Sequence, residues 1–222
     1  MWVVPVAFLL SVAGGWLAYA PSRASSTWVW LALGLVQLPL ALVALVRMYR
    51  EGTIAERMQP RWGDISLGAG SALMLYAVTW AGRVWITPSG TPREGWLVKV
   101  YLQLGDPKVV QDNLTLLGIA ILMVAACDEL AWRGLVLRVL EERVGSRRAW
   151  WMTAVLYGVS LAPTVWLLRT EAGPNPLVMA AAVAGGVVWS LIAQRSQRLL
   201  PAILSHGLYL WFVVAQFRLF GI

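Results

Sequence analysis

Residues 114–133 read LTLLGIAILMVAACDELAWR, an almost wholly apolar run that ends in two adjacent acids, Asp128 and Glu129, and in Arg133. A helix needs about 20 apolar residues to cross the roughly 30 Å hydrocarbon core of a bilayer, so this run predicts a membrane span. A charged carboxylate at the centre of such a helix costs about 2.5 to 3.5 kcal/mol on insertion scales. The two acids are therefore the first candidates for a functional site.

The composition of the whole chain predicts a membrane protein. Of its 222 residues, 59% are hydrophobic and 13% are charged, and the mean hydropathy is +0.67. A soluble domain carries roughly 25% charged residues. The net charge of +7 does not indicate nucleic-acid binding, because the basic residues fall mainly in short loops between apolar runs and not in one patch. We expect the lipid bilayer to be the surroundings of most of the chain.

Apolar runs of membrane-spanning length recur along the chain, without a repeat or a separate soluble domain. The predicted spans cover approximately residues 2–20, 28–46, 67–87, 114–133, 149–168, 176–193 and 199–220. Between the third and fourth spans, residues 96–104 predict a short amphipathic helix in the membrane interface. The expected fold is an all-α bundle of about seven transmembrane helices in one membrane domain, 1–222. Residues 1–113 form its N-terminal part, and residues 114–215 form a core whose four spans carry the site.

Arginines are concentrated in loops that share one side of the membrane if every predicted span crosses it. These loops are residues 47–62, 138–148 and 195–198. By the positive-inside rule this side is cytoplasmic, which also places the N-terminus in the cytoplasm. The first span has no basic region before its apolar run, and Pro21 follows Ala18-Tyr19-Ala20, so we expect a retained span and not a cleaved signal peptide.

The charged residues at the end of the fourth span can have two meanings. Glu129 and Arg133 are four residues apart on one helix face, in the order that favours an ion pair. Asp128 points about 100° away and is free to meet another helix. In a structural interpretation, the three charges only fix helix packing. In a catalytic interpretation, the acid pair supplies a general base, and its partner is His206, the only histidine, in the seventh span.

The paired-acid motif ending in Arg133, followed three spans later by His206 in an apolar helix, resembles the CPBP family of membrane proteins. This family includes CAAX prenyl endopeptidases of the Ras-converting-enzyme type and bacterial relatives described as Abi or bacteriocin-immunity proteins. Its pattern is Glu-Glu-x-x-x-Arg, then Phe-x-x-x-His, then His-x-x-x-Asn or His-x-x-x-Asp on a later helix. Asp128, Glu129 and Arg133 match the first motif, and His206 matches the histidine of the last. The resemblance covers about residues 114–215.

Some polar positions of the family's pattern are altered in this chain. Asp128 is one methylene shorter than the glutamate of the pattern. Tyr157 keeps the aromatic position of the second motif, but Leu161 stands where the histidine belongs, and Leu210 replaces the final asparagine. The loss of one oxyanion-stabilising donor costs about 100- to 1,000-fold in rate. These replacements predict either a slow or specialised protease, or a protein that keeps the fold and has lost hydrolysis.

The resemblance implies an intramembrane endopeptidase in a prokaryotic cytoplasmic membrane, cleaving a peptide or membrane-protein substrate. Its implied catalytic set is Asp128 as general base, His206 as partner and oxyanion stabiliser, and Glu129 clamped by Arg133. The rival function is a catalytically inactive scaffold or immunity protein that binds a membrane peptide in the same cavity. We expect no cofactor: catalytic zinc usually has three protein ligands, and Asp128, Glu129 and His206 would exhaust the candidates.

Two further interpretations have less support. Ser160 in the fifth span and His206 two spans later have the layout of a rhomboid-like serine protease, which requires the two side chains to approach to about 3 Å. That chemistry leaves Asp128, Glu129 and Arg133 unexplained. A proton-coupled transporter could use the acids as a relay, but only their burial suggests it. The small residues of the sixth span predict close helix packing and no chemistry.

Overall fold

The computed structural model describes residues 2–219, and the surroundings of side chains as far as residue 214. Between residues 2 and 219 the chain is mainly helical and contains no β-strand, which confirms the all-α prediction. The helices are α1 (Val3–Ala18), α2 (Trp28–Arg50), α3 (Ile54–Met58), α4 (Asp64–Ile86), α5 (Glu94–Gln103), α6 (Pro107–Asp112), α7 (Leu114–Glu129), α8 (Leu137–Val144), α9 (Ser146–Ser160), α10 (Pro163–Leu167), α11 (Leu177–Ser196) and α12 (Leu200–Leu219). A π-helical segment, Leu130–Val136, joins α7 to α8 without a break.

Among the described residues, four helical stretches are long and apolar enough to cross a membrane. They are α2, α4, α11 and the continuous 31-residue stretch Leu114–Val144. Val3–Ala18 and Leu200–Val214 are shorter apolar helices. Large apolar side chains such as Leu9 and Leu116 are 63% and 67% exposed on the outside of the bundle, where a bilayer would surround them with lipid tails. The chain is an integral membrane protein, and the number of seven crossing helices stays a prediction.

The fourth predicted span extends further than its apolar run suggested. The sequence predicts that the span ends at residue 133, but the helix continues to Val144. Leu137 and Leu140 remain buried in this continuation, while polar residues occupy its other face. An amphipathic extension of this kind stays attached to the core even though its composition is no longer that of a membrane span.

The fifth predicted span, residues 149–168, is interrupted. Helix α9 ends at Ser160, and α10 begins at Pro163. Proline lacks the N–H that a helix interior requires, and its ring clashes with the carbonyl group four residues earlier. The apolar run therefore continues beyond Pro163, but the helix is interrupted between Ser160 and Pro163. The interfacial helix predicted at residues 96–104 corresponds to α5.

Glycines bring α9 and α11 into close contact. A Cβ atom built on Gly158 would lie 2.1 Å from Val183 Cγ2, and one built on Gly186 would lie 3.2 Å from Ala154 Cα. Only glycine fits at such distances, so the close packing predicted for the small-residue span is present. The backbone of α11 also reaches Arg133, whose Nη2 donates to the carbonyl oxygen of Gly186.

The turn before α12 is tied to the start of α4 by a buried ion pair. The Arg198 guanidinium donates to Asp64 Oδ1 and to the carbonyl oxygen of Gln59, and the N–H of Arg61 donates to Asp64 Oδ2 at 2.7 Å. The side chains of Arg198 and Asp64 are 8% and 7% exposed. We call this contact the Asp64–Arg198 latch. It holds the beginning of α12, the helix that carries His206.

Candidate functional site

Glu129 is the centre of a buried polar cluster between α7 and α12. Its Oε1 atom accepts a hydrogen bond from Arg133 Nη1 at 3.1 Å and lies 2.9 Å from His206 Nδ1. Its Oε2 atom has no hydrogen-bond partner in the described part of the chain. Both Glu129 and Arg133 have fully buried side chains. The ion pair expected within this helix is present, and one carboxylate oxygen remains available.

Arg133 is held on every side by groups of α9 and α11. Its Nε donates to Ser190 Oγ and its Nη2 donates to the carbonyl oxygen of Gly186, both at 3.3 Å. The guanidinium carbon lies 4.8 Å from the ring centroid of Tyr157 and 5.4 Å from that of Trp189. A buried ion pair is tolerated when its remaining donors are bonded in this way. The sequence predicted only close packing for the sixth span and did not predict that Ser190 and Trp189 of this span contact Arg133.

His206 meets a different acid from the one that the sequence suggested. It is 3% exposed and stacks on Trp189, with ring centroids 3.8 Å apart and an interplanar angle of 16°. Its Nδ1 faces Glu129, whereas Asp128 was expected to be its partner. Neighbouring side chains on a helix point about 100° apart. Helix α12 packs on the side of α7 that carries Glu129, so the direct partner of His206 is corrected to Glu129.

Asp128 has its own neighbour and is the more exposed acid of the pair. The hydroxyl of Tyr157 donates to Asp128 Oδ2 at 3.1 Å. Asp128 is partly exposed, whereas Glu129 is 0% exposed. Tyr157 stands at the aromatic position of the second motif, where the family's pattern has phenylalanine, and its hydroxyl reaches the first motif. This bond links α9 to α7 through a group that the sequence motif alone did not single out.

The two leucines at altered motif positions are packed among apolar groups. Leu161 lies beside α1, since a Cβ atom built on Gly15 would come within 3.4 Å of Leu161 Cδ2. Leu210 packs against an apolar cluster that includes Leu117 and Val214. Leucine offers no hydrogen-bonding side-chain group, so both positions contribute apolar packing.

The backbone between Glu129 and Arg133 leaves the α-helical geometry. The π-helical segment Leu130–Val136 begins directly after Glu129, and all seven of its residues are buried. Short π segments inside α-helices are frequent at functional sites. The wider turn sets the direction in which Trp132 and Arg133 leave the helix. Nothing in the composition of this stretch predicted the change of geometry.

Ser160 is not paired with His206 in the structure. Its hydroxyl donates to the carbonyl oxygen of Tyr157 on its own helix at 2.6 Å, and the serine is fully buried. The hydrogen-bonding nitrogen Nδ1 of His206 is directed at Glu129. A serine nucleophile needs a histidine within hydrogen-bond distance, so these contacts give no support to the rhomboid-like interpretation.

The acids and the histidine do not form a metal-ligand group. Among the residues that the structure describes, no three His, Cys, Asp or Glu side chains are grouped so that they could hold a metal ion. The described partners of Glu129 are instead cationic or ring N–H groups, which suit hydrogen bonding.

The comparison with protein families identifies the region that contains this cluster. Residues 110–212 match the family model described as type II CAAX prenyl endopeptidase, Rce1-like. The matched range includes both acids, Arg133, Tyr157 and His206. No curated protein and no solved structure gives a significant match. The motif resemblance is confirmed: residues 110–212 are similar to the Rce1-like family, which is consistent with a CPBP family member.

Proposed function

We propose that the chain is an intramembrane endopeptidase that hydrolyses a peptide bond with a water molecule activated by Asp128. The observation that carries this proposal is the unequal environment of the two adjacent acids. Glu129 is fully buried against Arg133 and His206, while Asp128 keeps part of its surface exposed beside Tyr157. A general base must be within reach of the water whose proton it takes. The match of residues 110–212 to the Rce1-like family supports a protease-like activity in a membrane.

In the proposed reaction the two acids have separate tasks. Asp128 takes a proton from water as the water oxygen bonds to the carbonyl carbon of the substrate. The same proton passes to the amide nitrogen when the C–N bond breaks, so that a carboxylic acid and an amine are released. Tyr157 holds one oxygen of Asp128 and leaves the other for the water. Glu129 takes no proton in this scheme.

Glu129 has the task of orienting His206. By accepting the Nδ1–H it selects the ring tautomer and leaves Nε2 for the reacting groups, as carboxylates do for histidines in many active sites. In this step the ring is an imidazolium: its second proton, on Nε2, donates a hydrogen bond to the carbonyl oxygen while negative charge develops there, and the ring keeps both protons. Arg133 balances the charge of Glu129, so the pair can remain buried without attracting the proton of the water.

The proposal places the chain in a prokaryotic cytoplasmic membrane, with its N-terminus in the cytoplasm and the substrate bond near the cytoplasmic side. Arginines at the ends of α8, α9 and α11 support this orientation under the positive-inside rule. The exposed ones are Arg143, Arg147, Arg148 and Arg195. The substrate is a peptide or a membrane protein, which the lipid-facing surface of the bundle allows to approach within the bilayer.

A second candidate function is a catalytically inactive scaffold or immunity protein that binds a membrane peptide. The observation in its favour is the apolar packing of Leu161 and Leu210, where the family's pattern has polar side chains. The Glu129–Arg133 ion pair would stabilise such a protein as well as an enzyme. The two functions therefore differ in what they require of Asp128.

The test is hydrolysis of single-span peptides by the purified protein in liposomes, followed by mass spectrometry of the products. We expect Asp128→Asn to lower the rate by about 100- to 10,000-fold, the usual contribution of a general base, with unchanged helix content and thermal unfolding. His206→Ala should also lower it. Asp112→Asn, which changes an exposed acid, is the matched control. Cleavage by Asp128→Asn at the rate of the unmodified protein would exclude Asp128 as the base.

A restored motif separates the two candidate functions if the natural chain cleaves none of the peptides. The triple variant Asp128→Glu, Leu161→His, Leu210→Asn returns the three altered positions to the family's pattern. Cleavage by this variant alone would identify the natural chain as an inactive relative. Ser160→Ala should retain whatever activity is found, because the serine hydroxyl bonds only within α9 among the described contacts.

A further inference from the structure

Helices α1 and α2 lie outside the region that matches the family, yet α1 bonds directly, and α2 through α1, to Trp132 beside the acids. Ser11 Oγ of α1 accepts hydrogen bonds from Gln37 Nε2 of α2 at 2.5 Å and from Trp132 Nε1 at 3.2 Å. Ser11 and Gln37 are 5% and 3% exposed, and Trp132 is completely buried. The indole N–H of Trp132 is thus hydrogen-bonded to Ser11 of α1, and Ser11 is in turn hydrogen-bonded to Gln37 of α2.

Helix α4 reaches the second tryptophan of the site, Trp189, indirectly, through a serine of α12. Ser71 Oγ lies 2.9 Å from Ser205 Oγ of α12, and Ser205 Oγ accepts a hydrogen bond from Trp189 Nε1 at 3.2 Å. The close approach of α4 to α12 depends on Gly68, where a Cβ atom would lie 2.9 Å from Leu204 Cβ. Each indole N–H of the site is therefore fixed by a serine hydroxyl.

The two tryptophans enclose the side chains that touch the acids. Tyr157 makes edge contacts with Trp132 at 5.4 Å and with Trp189 at 6.4 Å between ring centroids, and Trp189 also stacks on His206 at 3.8 Å. Tyr157 in turn holds Asp128. A shift of either indole would move a ring that is hydrogen-bonded to one of the two acids.

Packing alone does not account for these polar residues. A hydroxyl or amide buried in an apolar bundle costs free energy unless it is hydrogen-bonded, and alanine would serve close helix packing equally well. Ser11 instead bonds the indole N–H of Trp132 directly, and Gln37 bonds Ser11. Ser71, whose hydroxyl also lies 2.6 Å from the carbonyl oxygen of Leu67, reaches the indole N–H of Trp189 through Ser205. This arrangement gives a role to polar residues of α1, α2 and α4, for which the sequence motifs suggested none.

We propose that Ser11, Gln37 and Ser71 are positioning residues of the candidate site. They fix the ring planes of Trp132 and Trp189, and through those rings they hold Tyr157 on Asp128 and His206 on Glu129. Only the description of the acids as a catalytic site rests on the proposed function. The coupling from α1, α2 and α4 to the acids is a structural property, which can be measured without cleavage.

The test uses two measurements on the full-length protein in detergent micelles. The first is the ¹⁵N-indole NMR spectrum, in which Trp132→Phe and Trp189→Phe assign the two resonances. The second is the rate at which dicyclohexylcarbodiimide, an apolar reagent that modifies carboxyl groups, labels Asp128, followed by peptide mass spectrometry. Ser11→Ala and Ser71→Ala are compared with Ser11→Thr, which keeps a hydroxyl. The control is Thr153→Val, since the buried Thr153 hydroxyl bonds within α9 to Ala149.

We expect Ser11→Ala to shift the Trp132 indole resonance and to raise the labelling rate of Asp128 about threefold, the equilibrium equivalent of one interhelical hydrogen bond in a membrane. Ser71→Ala should shift the Trp189 resonance, and Ser11→Thr should restore both readouts to the values of the unmodified protein. If the Trp132 resonance moves but Asp128 labelling equals that of Thr153→Val, the serine is merely structural and the proposal is overturned. Unchanged resonances in both alanine variants would also overturn it.

These measurements also keep the two proposals apart. Altered Asp128 labelling in Ser11→Ala supports the positioning network even if no peptide is ever cleaved, in which case only the proposed function fails. Cleavage that depends on Asp128, together with unchanged labelling in Ser11→Ala and Ser71→Ala, supports the function and overturns the network.

Discussion

Two buried ion pairs hold parts of this bundle together, and they differ in how completely their carboxylates are bonded. In the Asp64–Arg198 latch, Asp64 accepts at both oxygens, from the guanidinium and from a backbone N–H. In the interior cluster, Glu129 accepts from Arg133 at Oε1, beside His206, while Oε2 has no described partner.

The difference separates a structural contact from a candidate site. Nearly all buried polar atoms in proteins are hydrogen-bonded, and each exception requires an explanation. In the latch the acid has a partner at each oxygen, and the buried atom without a described partner is Arg198 Nε, on the cation. The cluster keeps an unsatisfied oxygen and has Asp128, a partly exposed acid, as its neighbour. Burial of charge by itself therefore does not identify the site.

The largest effect on stability is expected from Arg133→Ala. The substitution removes the guanidinium from the buried Glu129 and leaves His206 as its described partner; breaking a buried ion pair costs about 3 to 5 kcal/mol. The measurement is unfolding in mixed micelles with increasing sodium dodecyl sulfate. The double variant Arg133→Ala, Glu129→Ala should recover part of the loss, since neither charge then remains. A single variant as stable as the unmodified protein would show that the cluster does not hold the bundle.

A smaller effect is expected from Arg198→Ala in the latch. Loss of hydrogen bonds to a charged group costs about 1.5 to 3 kcal/mol, and Asp64 retains its bond to the N–H of Arg61. Limited proteolysis should detect faster cleavage in residues 59–63. The Trp132 indole resonance should not move, because Asp64 and Arg198 make no described hydrogen bond with Ser11 or Trp132. A shift of that resonance would remove the distinction between the two regions.

The close contact that brings α11 to Arg133 is tested by Gly158→Ala. The new methyl group would meet Val183 Cγ2 at 2.1 Å, and such overpacking costs typically about 1 to 3 kcal/mol. The double variant Gly158→Ala, Val183→Ala should recover part of this cost. Gly70→Ala is the control, because a Cβ atom built there meets nothing within 4 Å. Equal thermal stability of Gly158→Ala and Gly70→Ala would contradict the predicted overpacking.

The smallest effect is expected from Glu142→Gln at the surface. Arg47 bonds both Glu51 and Glu142, at 2.7 and 2.6 Å, but these side chains are 31%, 39% and 57% exposed. Exposed ion pairs contribute about 0 to 1 kcal/mol, and Glu51 would remain bound to Arg47. Thermal unfolding at low and high salt should differ little from that of the unmodified protein. A loss of stability comparable to that of Arg198→Ala would mean that the solvent exposure of an ion pair does not predict its contribution to the free energy of unfolding.

Much of the helical plan was predictable because lipid imposes a simple requirement on the chain. Each backbone polar group must be bonded within its segment, so long apolar runs become helices. The run from Leu114 indicated such a helix, and its length was misjudged only where an amphipathic continuation extends it to Val144. Pro163 shows the converse case, in which a local steric rule ends a helix inside an apolar run.

The site was predictable only in part. The ion pair of Glu129 with Arg133 followed from a spacing of four residues, which places both side chains on one helix face. The partner of His206 did not follow, because residues 128 and 129 differ by about 100° around the helix. The packing of α12 decides which acid is met. The contacts of Tyr157 and Trp189 likewise depend on how separate helices pack.

By itself, the sequence determined that this chain is helical and apolar, that Glu129 pairs with Arg133, and that its C-terminal half resembles the CPBP family. These are consequences of hydropathy and of local spacing, which act along a single helix. The tertiary structure alone decided that His206 lies against Glu129, that Tyr157 bonds Asp128, and that serines of α1 and α4 lie next to the site. Contacts between helices depend on crossing angles and on close approaches at glycines, and no periodicity within one segment encodes them.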